Sequence, residues 1–350
     1  MTEIAVVGFA QAPNVAETAG TTNGVEMLVP CFRQLYAELG IGKSDIGFWC
    51  SGSSDYLAGR AFSFISAIDA IGAVPPINES HVEMDAAWAL YEAWIKLMTG
   101  EVDTALVYGF GKSSAGVLPK ILAMQLDPYL VGPLWPDSLS LAGIQARLGI
   151  DAGKWDERAM AEVAVRNRAH AHPLAQLSAG ELDVESLLQS EYIADPLRAH
   201  DCAPVTDGAS AIVLASGDRA RSLRENPAWI AGIEHLVDSP NIGARDLTTA
   251  PSAYNAALKA SGGDLSSITA AELHAPFTHQ ELILSEWLPR DVALNPSGGT
   301  LVGNAMFSAG LERIGHAANR IFDGTDDRVL AHATSGPLLQ QNLVAVMEGR

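Results

Sequence analysis

The stretch HVEMDAAWALYEAW, residues 81–94, sets a polar cluster against the start of a helix-forming run. His81, Glu83 and Asp85 lead directly into Ala86 and Ala87. A helix that begins inside a fold offers unpaired N–H groups and the positive end of its dipole, and both favour an anion. Many enzymes place a reactive Cys or Ser on such a start. Here alanine stands on the platform, so the segment reads as an anion site with no nucleophile of its own. The chain's three cysteines, Cys31, Cys50 and Cys202, show neither metal-ligand spacing nor a disulfide framework. They read as buried inert thiols, and a reducing cytoplasm is the expected compartment. The densest basic stretch, residues 217–227 with Arg219, Arg221 and Arg224, reads as a solvated helix face, with a phosphate clamp as the alternative.

Holding such a platform inside a protein takes a large core, and 350 residues at 48% hydrophobic supply one or two domains' worth. The apolar runs are far shorter than the roughly 18–20 residues a membrane span needs. The N-terminal residues carry an acid where a secretory signal would need positive charge, and they read as a first strand. A formal net charge of −19 with 22 Lys and Arg argues against a nucleic-acid partner. Segments 3–10 and 104–110 are largely apolar runs with a Gly near the end (Gly8 and Gly109), the pattern of strands buried on both faces, and 209–216 carries the same signal. Residues 25–39 and 84–98 have helical periodicity, and 112–200 reads as a long, largely irregular insertion with helical stretches at 140–148 and 155–170. A second half repeats the alternation: strands at 228–235, 269–275, 328–333 and 342–348, helices at 250–261 and 306–320. Alternating β and α elements in two similar halves predict a layered α/β fold with mainly parallel central strands. The halves are expected to divide into 1–222 and 223–350, with the seam near 217–227.

Four motifs in order resemble the thiolase superfamily, and within it the sterol carrier protein X-like lipid-transfer branch, over essentially the full chain. HDCAPVTDGASAIVLAS (200–216) is similar to the family's Cys-Pro-x-x-Asp-Gly-Ala-Ala-Ala stretch, and HPLAQ (172–176) to its Asn-Pro-x-Ala-Gln. ELHAPFTHQEL (272–282) resembles the Asn-Glu-Ala-Phe motif in its His-containing version, and NPSGGTLVGNAMFSAG (295–310) the Asn-x-x-Gly-Gly…Gly-His-Pro loop. The resemblance implies a five-layered αβαβα fold. It also shows what is missing: Ala86 stands where the family carries its acyl-accepting Cys, Asn304 where it carries the His of Gly-His-Pro, and Ala333 near its second Cys.

Without a thiolate or its His partner, ordinary thiolysis is expected to be absent. Enolate chemistry remains. His274 and Asn304 can donate hydrogen bonds to a thioester oxygen as negative charge develops there. The resemblance to steroid side-chain aldolases that lack the cysteines implies retro-aldol cleavage of a β-hydroxyacyl-CoA of a steroid or other branched lipid. No covalent intermediate and no cofactor beyond the substrate's own coenzyme A are needed. Candidates for the base are Asp85, His279 and Tyr129. Tyr129, Phe277, His332, Ser335 and Gly336 are the expected substrate contacts, whereas His81, Glu83 and the Gln340–Gln341 pair read as helix-start, subunit or loop residues. The expected partners are a second thiolase-like chain, as a homo- or heterodimer through the apolar 61–77 segment, and a zinc-ribbon/OB-fold accessory protein. A non-catalytic subunit paired with an active paralogue, and a thiolase with a displaced nucleophile, are the alternative readings.

Overall fold

The computed structural model describes residues 2–19, 24–55, 64–71 and 78–350. Of the 61–77 segment, residues 61–63 and 72–77 lie outside the described residues. The first half contains β1 (Ile4–Gln11), α1 (Gly24–Leu39), β2 (Phe48–Gly52), α2 (Ile65–Ile71), β3 (Glu79–Val82), α3 (Ala86–Met98) and β4 (Thr104–Lys112). The insertion is more ordered than its composition predicts. It holds α4 (Leu118–Met124), α5 (Ser138–Asp151), α6 (Glu157–Ala169), α7 (Val184–Leu188) and the small hairpin β5 (Tyr192–Ala194) and β6 (Leu197–Arg198). Asp137, Asp156 and Asp183 start α5, α6 and α7 by accepting backbone N–H bonds, so local capping organises what hydrophobic periodicity leaves blank. The chain then forms β7 (Val205–Ser216), α8 (Gly217–Leu223), β8 (Ala228–Val237), α9 (Pro251–Ala260), β9 (Ala270–Leu273), α10 (Thr278–Ser285), β10 (Ala293–Leu294), β11 (Asn304–Ala305), α11 (Ala309–Phe322), β12 (Arg328–Ser335) and β13 (Gln341–Glu348).

The strands run β10-β9-β12-β13-β8-β1-β7-β4-β2-β3, with β11 beside β7. On each side of the β8–β1 junction the main strands follow one order: first, fifth, fourth, second, third. Directions repeat too. The first strand is antiparallel to the fifth and the fifth to the fourth, while the fourth, second and third are mutually parallel. The expectation of mainly parallel central strands is therefore corrected to a mixed sheet. A strand buried on both faces has the same apolar pattern in either direction; the connection decides, and the short turn between Ser335 and Gln341 forces β12 and β13 to be antiparallel.

Three apolar clusters define five layers. One packs α1 and α2 on the outer face of the first half-sheet, and another packs α9 and α10 on the outer face of the second. The third lies between the half-sheets, where α3 and α11 meet. There α3 contributes Ala86, Ala87, Ala89, Leu90, Ala93 and Leu97, and α11 contributes Leu311, Ile314, Ala317 and Ile321. Small side chains on α3 let the two helices approach closely, which brings both of their N-termini to one place.

Candidate active site

That meeting point is the platform noted in the sequence. Asp85 is the N-cap of α3, and its Oδ1 accepts the Ala87 N–H at 2.9 Å. The same carboxylate reaches the N-terminus of α11, accepting Gly310 N–H at 2.9 Å through Oδ2 and Leu311 N–H at 3.2 Å through Oδ1. Gly310 permits this reach, since a Cβ there would stand 2.5 Å from Asp85 Oδ1. The Ala86 N–H is taken by the Phe307 carbonyl at 3.0 Å, and Phe307 adopts φ 67 to present it. A bulky residue at positive φ costs of order 1–3 kcal/mol, so packing holds it there. Burial pushes the Asp85 carboxyl up, and the three N–H donors and Arg313 oppose that. Every bond it makes is to a donor, so an ionised carboxylate is the form that fits. The anion platform is thus filled by the protein's own carboxylate and carbonyl. Asp85, expected as a base, has its oxygens committed to two helix ends.

Beside the platform is a cavity of about 750 Å³. His274, Asn304, Phe277, Ser335 and Gly336 line it together with Asp85. The His274 ring accepts the Thr334 N–H at Nδ1, 3.4 Å away, so the proton resides on Nε2, which turns to the cavity. Burial, with His332 and Arg313 nearby, lowers its pKa to about 3, so the ring is a neutral donor. Backbone bonds from His274 N to His332 O, from Leu273 N to Asn295 Oδ1 and from Ala275 N to Thr300 Oγ1 fix the strand end that carries it. The Asn304 side chain is buried with Oδ1 unpartnered inside, leaving Nδ2 as the cavity-facing donor. Behind the site, Glu272 accepts from Ser297 and Arg313, tying the 295–300 loop and α11 to β9.

Other sequence candidates lie elsewhere. His279 is buried in α10, bonded to Gln145 at 3.1 Å and absent from the cavity wall. Tyr129 is 87% exposed and does not line the cavity. Its neighbours Leu118, Leu122, Leu126, Leu139 and Leu141 form that wall instead. His332 is buried in β12 and bonded to Asn342 at 2.8 Å. These three are corrected: both histidines are buried with a ring nitrogen bonded to a side-chain amide, Tyr129 is in solvent, and none lines the cavity. Ala86 and Ala333 are fully buried and outside the wall. Ala86 Cβ packs where Gly109 leaves room, a Cβ on Gly109 falling 2.6 Å away. Cys202 does line the cavity, but burial raises its thiol to about 12, as it does for Cys31. At neutral pH its thiolate fraction is on the order of 10⁻⁵. Sequence reading missed Gln280, Gln340, Gln341, Thr334 and Phe307 as cavity residues. Gln280 was accessible to it: three positions after Phe277, it shares that residue's side of the α10 start. Among the described residues, no group of three or more His, Cys, Asp or Glu is placed to hold a metal ion.

No protein-family profile matches the chain. It is 25% identical over 340 residues to an acetyl-CoA acetyltransferase of Methanothermobacter thermautotrophicus, covering 85% of each. A shorter region of 70 residues is 43% identical to the 17-hydroxy-3-oxo-4-pregnene-20-carboxyl-CoA lyase of Mycobacterium tuberculosis, covering 19% of this chain and 18% of that protein. Among solved structures, the acetyl-CoA acetyltransferase of Bacillus anthracis superimposes with a TM-score of 0.81 at 15% identity, over 100% of this chain and 99% of that one. The Ltp2-ChsH2(DUF35) aldolase superimposes with a TM-score of 0.77 at 19% identity, over 99% and 98%. Fold, motif order and relatives converge: the chain has a thiolase-like fold, resembles acetyl-CoA acetyltransferases over most of its length and resembles a steroid side-chain lyase over a shorter region.

Proposed function

We propose that the protein is a CoA-thioester carbon–carbon lyase acting on a β-hydroxyacyl-CoA. The observation that carries the reading is the filled platform beside an open cavity. The site of a covalent acyl intermediate is occupied by Asp85 and Phe307, while His274 Nε2–H and the Asn304 amide remain directed at the cavity. In the retro-aldol step the β-hydroxyl proton passes to water, which later returns one to the α carbon, and the bond between the α and β carbons breaks. Its electron pair forms a thioester enolate, and a carbonyl forms at the β carbon. His274 and Asn304 donate to the enolate oxygen, and protonation at the α carbon gives the shorter acyl-CoA.

The cavity wall supports an apolar, uncharged acyl group. Among its described residues there is no Lys or Arg, and its carboxylates are Asp85, which is committed, and Glu83 at the exposed edge. A free carboxylate buried there would be desolvated without a counter-ion. We propose a dimer with a thiolase-like chain and a zinc-ribbon/OB-fold accessory protein that contributes to the CoA site. Incubation with pools of β-hydroxyacyl-CoA and β-ketoacyl-CoA tests the reading. Release of a ketone or aldehyde plus a shortened acyl-CoA from the first pool supports it, and CoA-dependent cleavage of the second alone overturns it.

A further inference from the structure

We propose that Gln280 is a specificity residue whose side-chain carbonyl accepts a hydrogen bond from a hydroxyl on the acyl group. This rests on the reading of the cavity as an acyl-CoA site. It follows from a chain of amides oriented at one end by the backbone. The Leu247 carbonyl oxygen can only accept, so the Gln145 atom 2.9 Å from it is Nε2. Gln145 is fully buried, and its Oε1 points the other way, to His279 Nε2 at 3.1 Å and Gln280 Nε2 at 3.0 Å. An amide oxygen also only accepts. Both neighbours therefore donate, and Gln280 turns its NH₂ inward and its Oε1 away from Gln145.

Gln280 is 3% exposed and lines the cavity, yet its Oε1 has no hydrogen bond among the described residues and is not sealed from the cavity. Turning the amide over would set two acceptor oxygens against each other at Gln145, with a buried group left unpaired. The rest of α10 is anchored independently: Glu281 accepts Asn167 and Asn295 at 2.6 Å each and pairs with Arg166. Phe277, Pro276 and Ala142 are apolar members of the same wall. A locked, unpartnered acceptor in such a wall is matched by a neutral donor on the ligand, and a hydroxyl is the donor that an uncharged acyl chain carries. Gln280 and His274 then read opposite groups, one accepting and one donating.

Binding calorimetry with a bulky neutral acyl-CoA and its singly hydroxylated counterparts, substituted at the β carbon or on the distal acyl group, tests this. The wild-type protein should bind one hydroxylated compound at least about tenfold more tightly than the deoxy compound. Gln280→Leu and Gln280→Met should lose that preference while holding the deoxy compound within about threefold of wild type. Gln145→Leu, which frees the Gln280 amide to turn, should narrow it. Equal wild-type affinity for all the compounds overturns the assignment to Gln280 alone, as does an equal loss for hydroxylated and deoxy compounds in the variants. Binding of no acyl-CoA overturns the acyl-CoA reading itself, and the proposal with it. Should Gln280→Leu fail to fold, Gln280→Met and the wild-type preference decide the matter.

Discussion

At the residue scale, the chemistry divides between groups that are committed and groups that remain open. His274 Nε2–H and Asn304 Nδ2 are open, so Asn304→Ala and His274→Ala should each lower kcat on a β-hydroxyacyl-CoA by roughly 10²–10³, the usual effect of losing one oxyanion donor. Unchanged melting temperatures would show that the loss is catalytic, and full turnover by Asn304→Ala would remove Asn304 from the scheme. Ala86 is committed. Restoring the family's residue by Ala86→Cys should not restore an acyl-enzyme, because the new sulfur enters the packed space beside Gly109 and Phe307 rather than the cavity. Intact-mass measurement after exposure to acyl-CoA should show no adduct, and stability should fall by about 1–3 kcal/mol from overpacking. A stoichiometric thioester would contradict the filled-platform picture.

At the scale of elements, two helices share one cap. Asp85 serves the N-termini of α3 and α11, which are 225 residues apart in the chain at the Gly310 contact. Asp85→Ala leaves three buried N–H groups without partners and should cost about 2–4 kcal/mol, more than loss of an ordinary N-cap. Urea unfolding measures it; a loss below about 0.5 kcal/mol, the low end for one cap, would mean that water replaces the carboxylate freely. The insertion has its own part at this scale. Its helices α4 and α5 supply the apolar side of the cavity, and the strand ends β9, β11 and β12 supply the polar side.

At the scale of the whole molecule, acid sensitivity follows from buried neutral histidines. Burial lowers His172 and His332 to about 4 and His274 and His279 to about 3, with His316 also well below its ordinary value. Each folded-state pKa lies below the unfolded value near 6.5, so the unfolded chain takes up more protons and stability is lost as pH falls below 6.5. Glu312 works in the opposite sense. Burial raises it to about 7, so the stability it contributes below its unfolded pKa is lost as pH rises from about 4.5 through 7. Burial also lowers His200 and raises Asp85, Asp201 and Glu272, so six lowered histidines stand against four raised carboxyls, and the urea midpoint should fall between pH 7.5 and 5.5. A midpoint that rises over that range would contradict the assigned neutral rings. Charge also bears on assembly. CoA adds phosphates to a chain of net −19 whose cavity wall has no cation among the described residues, so a basic partner surface should tighten CoA binding in a salt-dependent way. Light scattering should give a dimer or larger, and titration with the accessory protein should lower the apparent Kd; a monomer whose CoA affinity no partner changes would remove this proposal.

Much of this was legible in single segments. Continuous apolar runs announced β1, β4 and β7, Asp85 before two alanines announced the start of α3, and residue identity alone showed that Ala86 and Ala333 carry no thiol. Such features are local, because burial on both faces and helix capping leave their pattern within a few residues. Direction in the sheet, and which side chains meet, were decided only by the tertiary structure. His279 and Gln280 are adjacent in sequence, yet one is bonded in the interior and the other lines the cavity. Tyr129 stands in solvent while its leucine neighbours build the wall. Asp85 reads locally as one helix cap or a buried base, and fills a platform that carries no nucleophile only because the core brings the start of α11 against it. A contact between residues hundreds of positions apart depends on how layers pack, and local periodicity records only that a residue is buried, not which partner buries it.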